Sequence, residues 1–295
     1  MLEDLFEMAV RLKSKLERLE GSGEAGAFRE ILERAREVWR AYDPEPERAE
    51  VLGIDSGWNY RLYSGFYVYA IKAAAVDESM NLHHPVVEMD MLSGDPYQAG
   101  LTPDNFLKYQ AEIYEHDIAY EVLDEADLIL VDGSLIARLM DVGKRSSPSL
   151  KTEYMSFVKP LKGRDRLAFV SKYSHDKSLL CGVLGDVYYL NLNHTTASIG
   201  YTPPHVVERD DIEFSVFYAR LSEHSNALHV EIPAIVDEDY VKWFIDVLHE
   251  TSIKGYPYAL RVAHNVASLP DGLMDSLCKA AGLTGWIGAR EVLEA

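Results

Sequence analysis

Two short apolar runs in this chain each stop on an aspartate: VLGID at residues 51–55 and LILVD at residues 128–132. Runs of this length, bounded by Gly and Ser, read as buried strands rather than helices. Between them lie a β-rich run, FYVYAIKAAAV (66–76), a third strand, HPVVEMDML (84–92), and a helix from about Asp104 to Asp124. Thr102 and Pro103 suit the cap and first turn of that helix. SGWNYRLYSG (56–65) reads as a connecting turn, so the first three β segments form an antiparallel meander. A helix from Ser134 follows Asp132. Further strands are expected at RLAFVSK (166–172), around VYYLNL (187–192), at EFSVFYARL (213–221) and at ALHVEIP (227–233). Helices over 238–251, 258–269 and 272–281 close the chain.

A three-strand meander, a helix, then a strand ending in Asp is the order of the ribonuclease H-like fold. The expected class is therefore α/β, a mixed sheet flanked by helices, over residues 47–295. In such sheets ligands gather at the carboxyl ends of strands. Residues 1–46 form a separate helical arm. Leu2, Ala9 and Leu16 lie seven apart, with Leu5, Leu12 and Leu19 in the complementary seam. GSGEAG (21–26) breaks this helix, a second runs from about Ala27 to Tyr42, and Pro44 and Pro46 end the region. The seam is too short for a free-standing coiled coil. It packs either on its own domain or on a partner.

Two cysteines, Cys181 and Cys278, cannot make a disulfide framework or a Cys-based zinc site, so a reducing cytoplasm is expected. No run approaches 18 apolar residues, so no membrane-spanning helix is expected. The start of the chain reads as neither a signal nor a transit peptide. With 29 Lys and Arg against 48 Asp and Glu, the net charge is −19. An open duplex-binding face is usually basic, because phosphate neutralisation supplies most of the affinity. Nucleic acid would here need a local basic lining, metal ions or a partner.

The chemistry-bearing residues begin with Asp55 and Asp132. Either could simply cap a turn or a helix. As a pair on one sheet they would repel and resist ionising unless a cation lay between them. Hard divalent ions take such oxygen ligands. The helix before Asp132 carries Glu112, Glu115, Asp117 and Glu121, mostly a solvated face. Glu115 shares its side with Ile118 and Ala119 at helical spacing and is the expected inward carboxylate, with Glu112 one turn away. Lys172 ends a strand, where a cation could meet a phosphate. Tyr256 precedes Pro257, which suits the first position of a helix. His264 lies two turns on, along a face with Leu260 and Ala267. SHDK (174–177), VGKRS (142–146) and HETSI (249–253) each lack the partners that would make them catalytic motifs.

Taken in order, GIDSG, a helix Glu seventeen before the Asp of DGS, the SK-x-S strand end and YP…L…AH resemble the NurA nucleases of archaea and some bacteria, over about residues 51–269. The resemblance implies Asp55, Glu115 and Asp132 as metal-binding carboxylates and His264 as a further ligand or general acid/base. It also places Lys172 and Tyr256 in the active site. It implies a dimeric, Mn²⁺-dependent 5′→3′ DNA exonuclease, with two ions, Mg²⁺ an alternative and single-strand endonuclease activity possible in the family. Its partner would be a HerA-type hexameric translocase in DNA end processing for recombinational repair.

Two other readings use the same residues. An actin-like or sugar-kinase phosphotransferase also places Asp at strand ends, but needs a second phosphate hairpin and a glycine-pair adenosine loop. Asp132-Gly133-Ser134 leads into a helix instead. A non-catalytic scaffold would dock through the N-terminal helices.

Overall fold

A computed structural model describes residues 6–14, 25–92, 101–192 and 197–283. Leu2, Leu5, Leu16, Leu19 and residues 21–24 of the expected arm lie outside them. Residues 6–14 are helical (α1), with Phe6, Met8, Val10 and Leu12 exposed. Helix α2 (Ala25–Val38) ends four residues before the expected boundary, because Arg40–Ala41 joins the sheet as β1.

The meander is present: β2 (Val51–Tyr63), β3 (Phe66–Asp77) and β4 (Leu82–Leu92) pair antiparallel. The expected turn at 56–65 is a continuation of β2, paired from Ser56↔Ala73 to Tyr63↔Phe66. Only Ser64 and Gly65 turn, with Gly65 at φ 101°. Gly57 and Asn59 suggested a loop, but Trp58, Tyr60 and their aromatic neighbours are strand formers.

Helix α3 (Pro103–Glu121) follows, with Thr102 accepting from the Asn105 amide at 3.3 Å as its cap. Next come β5 (Leu128–Asp132), α4 (Leu135–Arg145), α5 (Pro148–Val158) and β6 (Leu167–Ser171). The expected strand at 187–192 is a helix, α6 (Asp186–Leu192). Val187 and Leu190 stand three apart and pack beside the Phe28, Ile31 and Ala35 side of α2. Tertiary packing here outweighs the β propensity of Val and Tyr.

The remaining elements are β7 (Gly200–Tyr201), β8 (His205–Arg209), β9 (Ile212–Arg220), β10 (Leu228–Ile232), α7 (Glu238–Leu248), the hairpin β11 (Ser252–Ile253) and β12 (Tyr256–Pro257), α8 (Tyr258–Ala267) and α9 (Asp271–Ala280). Among the described residues ten strands make one mixed sheet, ordered β1-β7-β9-β10-β6-β5-β2-β3-β4 with β8 beside β9. Only β2–β5 and β5–β6 are parallel.

Period-two alternation divides the core between the two faces. Leu52, Ile54, Ile129, Val131, Leu167 and Phe169 pack against α3, α4 and α5. Val51, Leu128, Leu130, Ala168 and Val170 pack against α7 and α8. None of the described helices is long and apolar enough to cross a membrane.

Candidate metal centre

Register alone brings the two aspartates together. Ile54 lies opposite Val131 on parallel β2 and β5, so Asp55 and Asp132 are the next pair along. Both point to the α8 face, and Lys172, two residues beyond Val170 on neighbouring β6, falls on the same side.

The glycines flanking Asp55 set its third partner. Gly53, Asp55 and Gly57 alternate on one face of β2, and α8 lies directly on it. A Cβ at Gly53 would overlap the backbone of Ala259 and Leu260; one at Gly57 would overlap the Ala267 carbonyl. This close approach lets His264 reach down from α8, its Nδ1 2.8 Å from Asp55 Oδ2. Gly57→Ala should therefore push α8 off the sheet, costing about 1–3 kcal/mol. Calorimetry should show the loss, together with weaker Mn²⁺-induced stabilisation. An unchanged melting temperature would mean the helix yields freely.

Potential ligand atoms of Asp55, Asp132 and His264 all lie within 4.8 Å of one another. Asp55 is 8% exposed. Burial first, and the negative charge of Asp132 second, hold its carboxyl above the usual range, against the opposing pull of His264. Its Oδ1 accepts from the Ser56 amide at 2.8 Å. Two crowded carboxylates and an imidazole form an oxygen-rich set that a hard or borderline divalent cation would relieve. The donors fit such an ion.

Lys172 and Tyr256 adjoin this cluster. The Lys172 ammonium lies 3.7 Å from the centroid of the Tyr256 ring, a cation–π contact. The Tyr256 hydroxyl is buried beside the Asp132 carboxylate; burial, then the charge of Asp132 and a hydrogen bond to it, hold its phenol protonated. Its position comes from the β11–β12 hairpin, closed by Lys254 and Gly255, both at positive φ as a two-residue primed turn requires. The sequence reading missed this hairpin and set Pro257 at the first helical position. Pro257 is instead the N-cap, and α8 starts at Tyr258.

Glu115 approaches from the opposite layer. It is 2% exposed on α3, with Oε1 accepting from Ser56 Oγ, next to Asp55, and Oε2 2.6 Å from Arg138 Nη1. Burial lifts its carboxyl to about 7 despite Arg138, with Asp55 adding to the rise. Glu112 faces away from Asp55, accepting from the Tyr154 hydroxyl at 2.9 Å and lying 3.7 Å from Arg138 Nε.

Arg138 is the residue the sequence reading missed. Its Nη2 also donates to the Asp132 carbonyl at 2.6 Å, so one guanidinium ties Glu115 to the Asp132 loop. Burial disfavours its charge, but Glu115 and Glu112 more than offset this and hold it cationic. The signal was available: Arg138 stands within the apolar stripe Leu135, Leu139 and Val142 of α4, where a lone cation needs a buried anion.

The fold and cluster define an α/β protein with a candidate divalent-ion centre where two parallel strands meet a crossing helix. The NurA domain family model matches residues 49–269. A DNA double-strand break repair nuclease NurA of Sulfurisphaera tokodaii is 25% identical over 313 residues, covering 90% of each chain. The crystal structure of the NurA nuclease from Sulfolobus solfataricus superposes with a TM-score of 0.77 at 20% identity, covering 96% of this chain and 97% of that one. A NurA crystal structure bound to dAMP and manganese superposes at 0.63 with 12% identity, over 95% and 97%. The chain belongs to the NurA family.

Proposed function

We propose that this chain is a metal-dependent DNA nuclease of ribonuclease H-like architecture, with Asp55, Asp132 and His264 as its ion-binding core. The convergence of those three residues on the α8 face of a NurA-family sheet carries the reading. The repair-nuclease relative supports DNA as substrate, and the NurA structure holding manganese and dAMP supports Mn²⁺, with Mg²⁺ the alternative.

When bound, the ion supplies Lewis acidity and offsets charge on the phosphodiester. Asp55 and Asp132 would hold it from adjacent strands, with a ring nitrogen of His264, which lies against Asp55, as the third donor. Glu115, poised near neutrality behind Ser56, is the carboxylate that completes the set; Glu112 belongs to the buried Arg138 and Tyr154 pairing. The Lys172 ammonium balances charge on a non-bridging phosphate oxygen, and Tyr256 fixes where that ammonium sits.

The family resemblance supports 5′→3′ polarity, two ions and a HerA-type translocase as partner in recombinational end processing. Among the described residues β4 is an edge strand, and its exposed Val87, Met89 and Met91 support a homodimer. Both cysteines are free, which fits a cytoplasmic protein.

The test is degradation of linear DNA with Mn²⁺, with Mg²⁺ and with chelator. Degradation is expected with Mn²⁺ and should stop on chelation. ATP turnover without DNA loss would favour the phosphotransferase reading, and no cleavage with either ion would reject the nuclease.

A further inference from the structure

The strand-end motif after Lys172 has a second use. Loop residues 173–177 alternate in direction. Asp176 is pinned inward by the Ser178 hydroxyl at 2.6 Å, the Tyr218 hydroxyl at 3.1 Å and His229 at 3.5 Å. Ser174 Oγ accepts from the Asp176 amide at 3.0 Å, and Gly185 packs so closely on the Ser174 carbonyl that a Cβ would lie 2.6 Å from it. The residues between are turned outward: Tyr173 is 87% exposed, and His175 and Lys177 are exposed.

They line a cleft of about 640 Å³ whose other walls are α4 and β8. That volume is within the roughly 300–1,000 Å³ usual for small-ligand sites. Met140 and Lys144, one turn apart on α4, face it, as do Val207 and Arg209 on β8. Its acids are already engaged. Asp141 pairs with Lys108 at 3.1 Å, Asp176 is held as above, and fully buried Glu231 accepts from Ser134 Oγ and from the Ile136 amide at 3.0 Å. Lys144 and Arg209 have no ion-pair partner among the described residues, and Lys177 only donates to the Val183 carbonyl. In a chain of net charge −19, three cations thus line the same cleft as one exposed aromatic ring. Ser134 and Tyr173 of the cleft follow Asp132 and Lys172 in the chain at the ends of β5 and β6, on the α4 side of the sheet end whose other side carries the metal centre.

We propose that this cleft holds unpaired nucleotides of the DNA strand next to the phosphate at the metal centre, with a base stacked on Tyr173 and phosphates on Lys144, Lys177 and Arg209. The proposal rests on the nuclease reading for its choice of ligand. Aromatic stacking combined with backbone cations is how single strands are held without sequence preference. It also supplies the local basic lining that the acidic composition demands, on a loop fixed before the strand arrives.

The experiment is fluorescence anisotropy with labelled oligodeoxythymidylate in Ca²⁺, over a range of NaCl, so that binding is read without turnover. An abasic strand of equal length is the control. Tyr173→Ala should weaken oligodeoxythymidylate binding roughly ten-fold or more while abasic binding stays within about two-fold, and Tyr173→Phe should restore it. Lys144→Gln with Lys177→Gln and Arg209→Gln should weaken both strands and make the salt dependence shallower by about two units, at roughly 0.7 per lost phosphate contact. Unchanged affinity and salt slope in these variants would overturn the cleft even if the protein degrades DNA. Cleft-dependent binding in a protein that degrades no DNA would uphold the cleft and reject the nuclease reading.

Discussion

Asp132→Asn is expected to lower DNA cleavage at saturating Mn²⁺ by at least about a thousand-fold, because it removes a charged oxygen donor from the ion site. The fold should survive. Asp132 raises the carboxyl of buried Asp55, so in chelated protein the pair costs stability once Asp55 ionises. A group raised in the folded state contributes stability at low pH and loses it as pH climbs through its folded value. The variant should therefore melt at or above the wild-type temperature at neutral and alkaline pH, the two converging as acid protonates Asp55. Added Mn²⁺ should stabilise the wild type but not the variant. Near-normal turnover would remove Asp132 from the centre, and a large fall in melting temperature would make it a structural cap instead.

Arg138→Met should be the most destabilising single change in this region. It strips the cation from between Glu115 and Glu112, both nearly inaccessible, and frees the Asp132 carbonyl. Breaking a buried pair from one side costs about 3–5 kcal/mol. For a chain of this size that is roughly 10 °C in melting temperature. Neutralising the stranded acids as well, in Arg138→Met with Glu112→Gln and Glu115→Gln, should recover much of the loss. Calorimetry on the single and triple variants decides it: a single-variant loss below about 1 kcal/mol would mean that water reaches the carboxylates.

Those two residues mark what a reader of the chain can and cannot extract. Asp55 and Asp132 announce themselves because an apolar run ending in a charge fixes both strand and side chain. Their meeting needs only parallel register between neighbouring strands. Arg138 is equally central, yet its importance comes from what the α3 layer places opposite it, and no local pattern specifies that. The glycines of GIDSG stand in plain view, but nothing local specifies that the backbone packing on them is α8. The VYYLNL segment misled because strand propensity is a weak preference that the packing of Val187, Tyr189 and Leu190 beside α2 readily overrides. Tyr256 was singled out without the hairpin that aims it, since two-residue strands leave almost no periodicity to detect.

The crossing of α8 over β2 bears on when the protein can become active. Asp55 lies early in the chain and His264 late, 209 positions apart. A ribosome making the protein exposes the Gly53–Asp55–Gly57 face long before the helix that covers it exists. Residues emerge at about 5–20 per second, so the bare strand waits roughly ten seconds or more for its lid. Nascent chains and products of premature termination thus carry both aspartates without the imidazole or the Tyr256 hairpin. On the proposed assignment, the ion site is complete only once α8 has been made and has packed on β2.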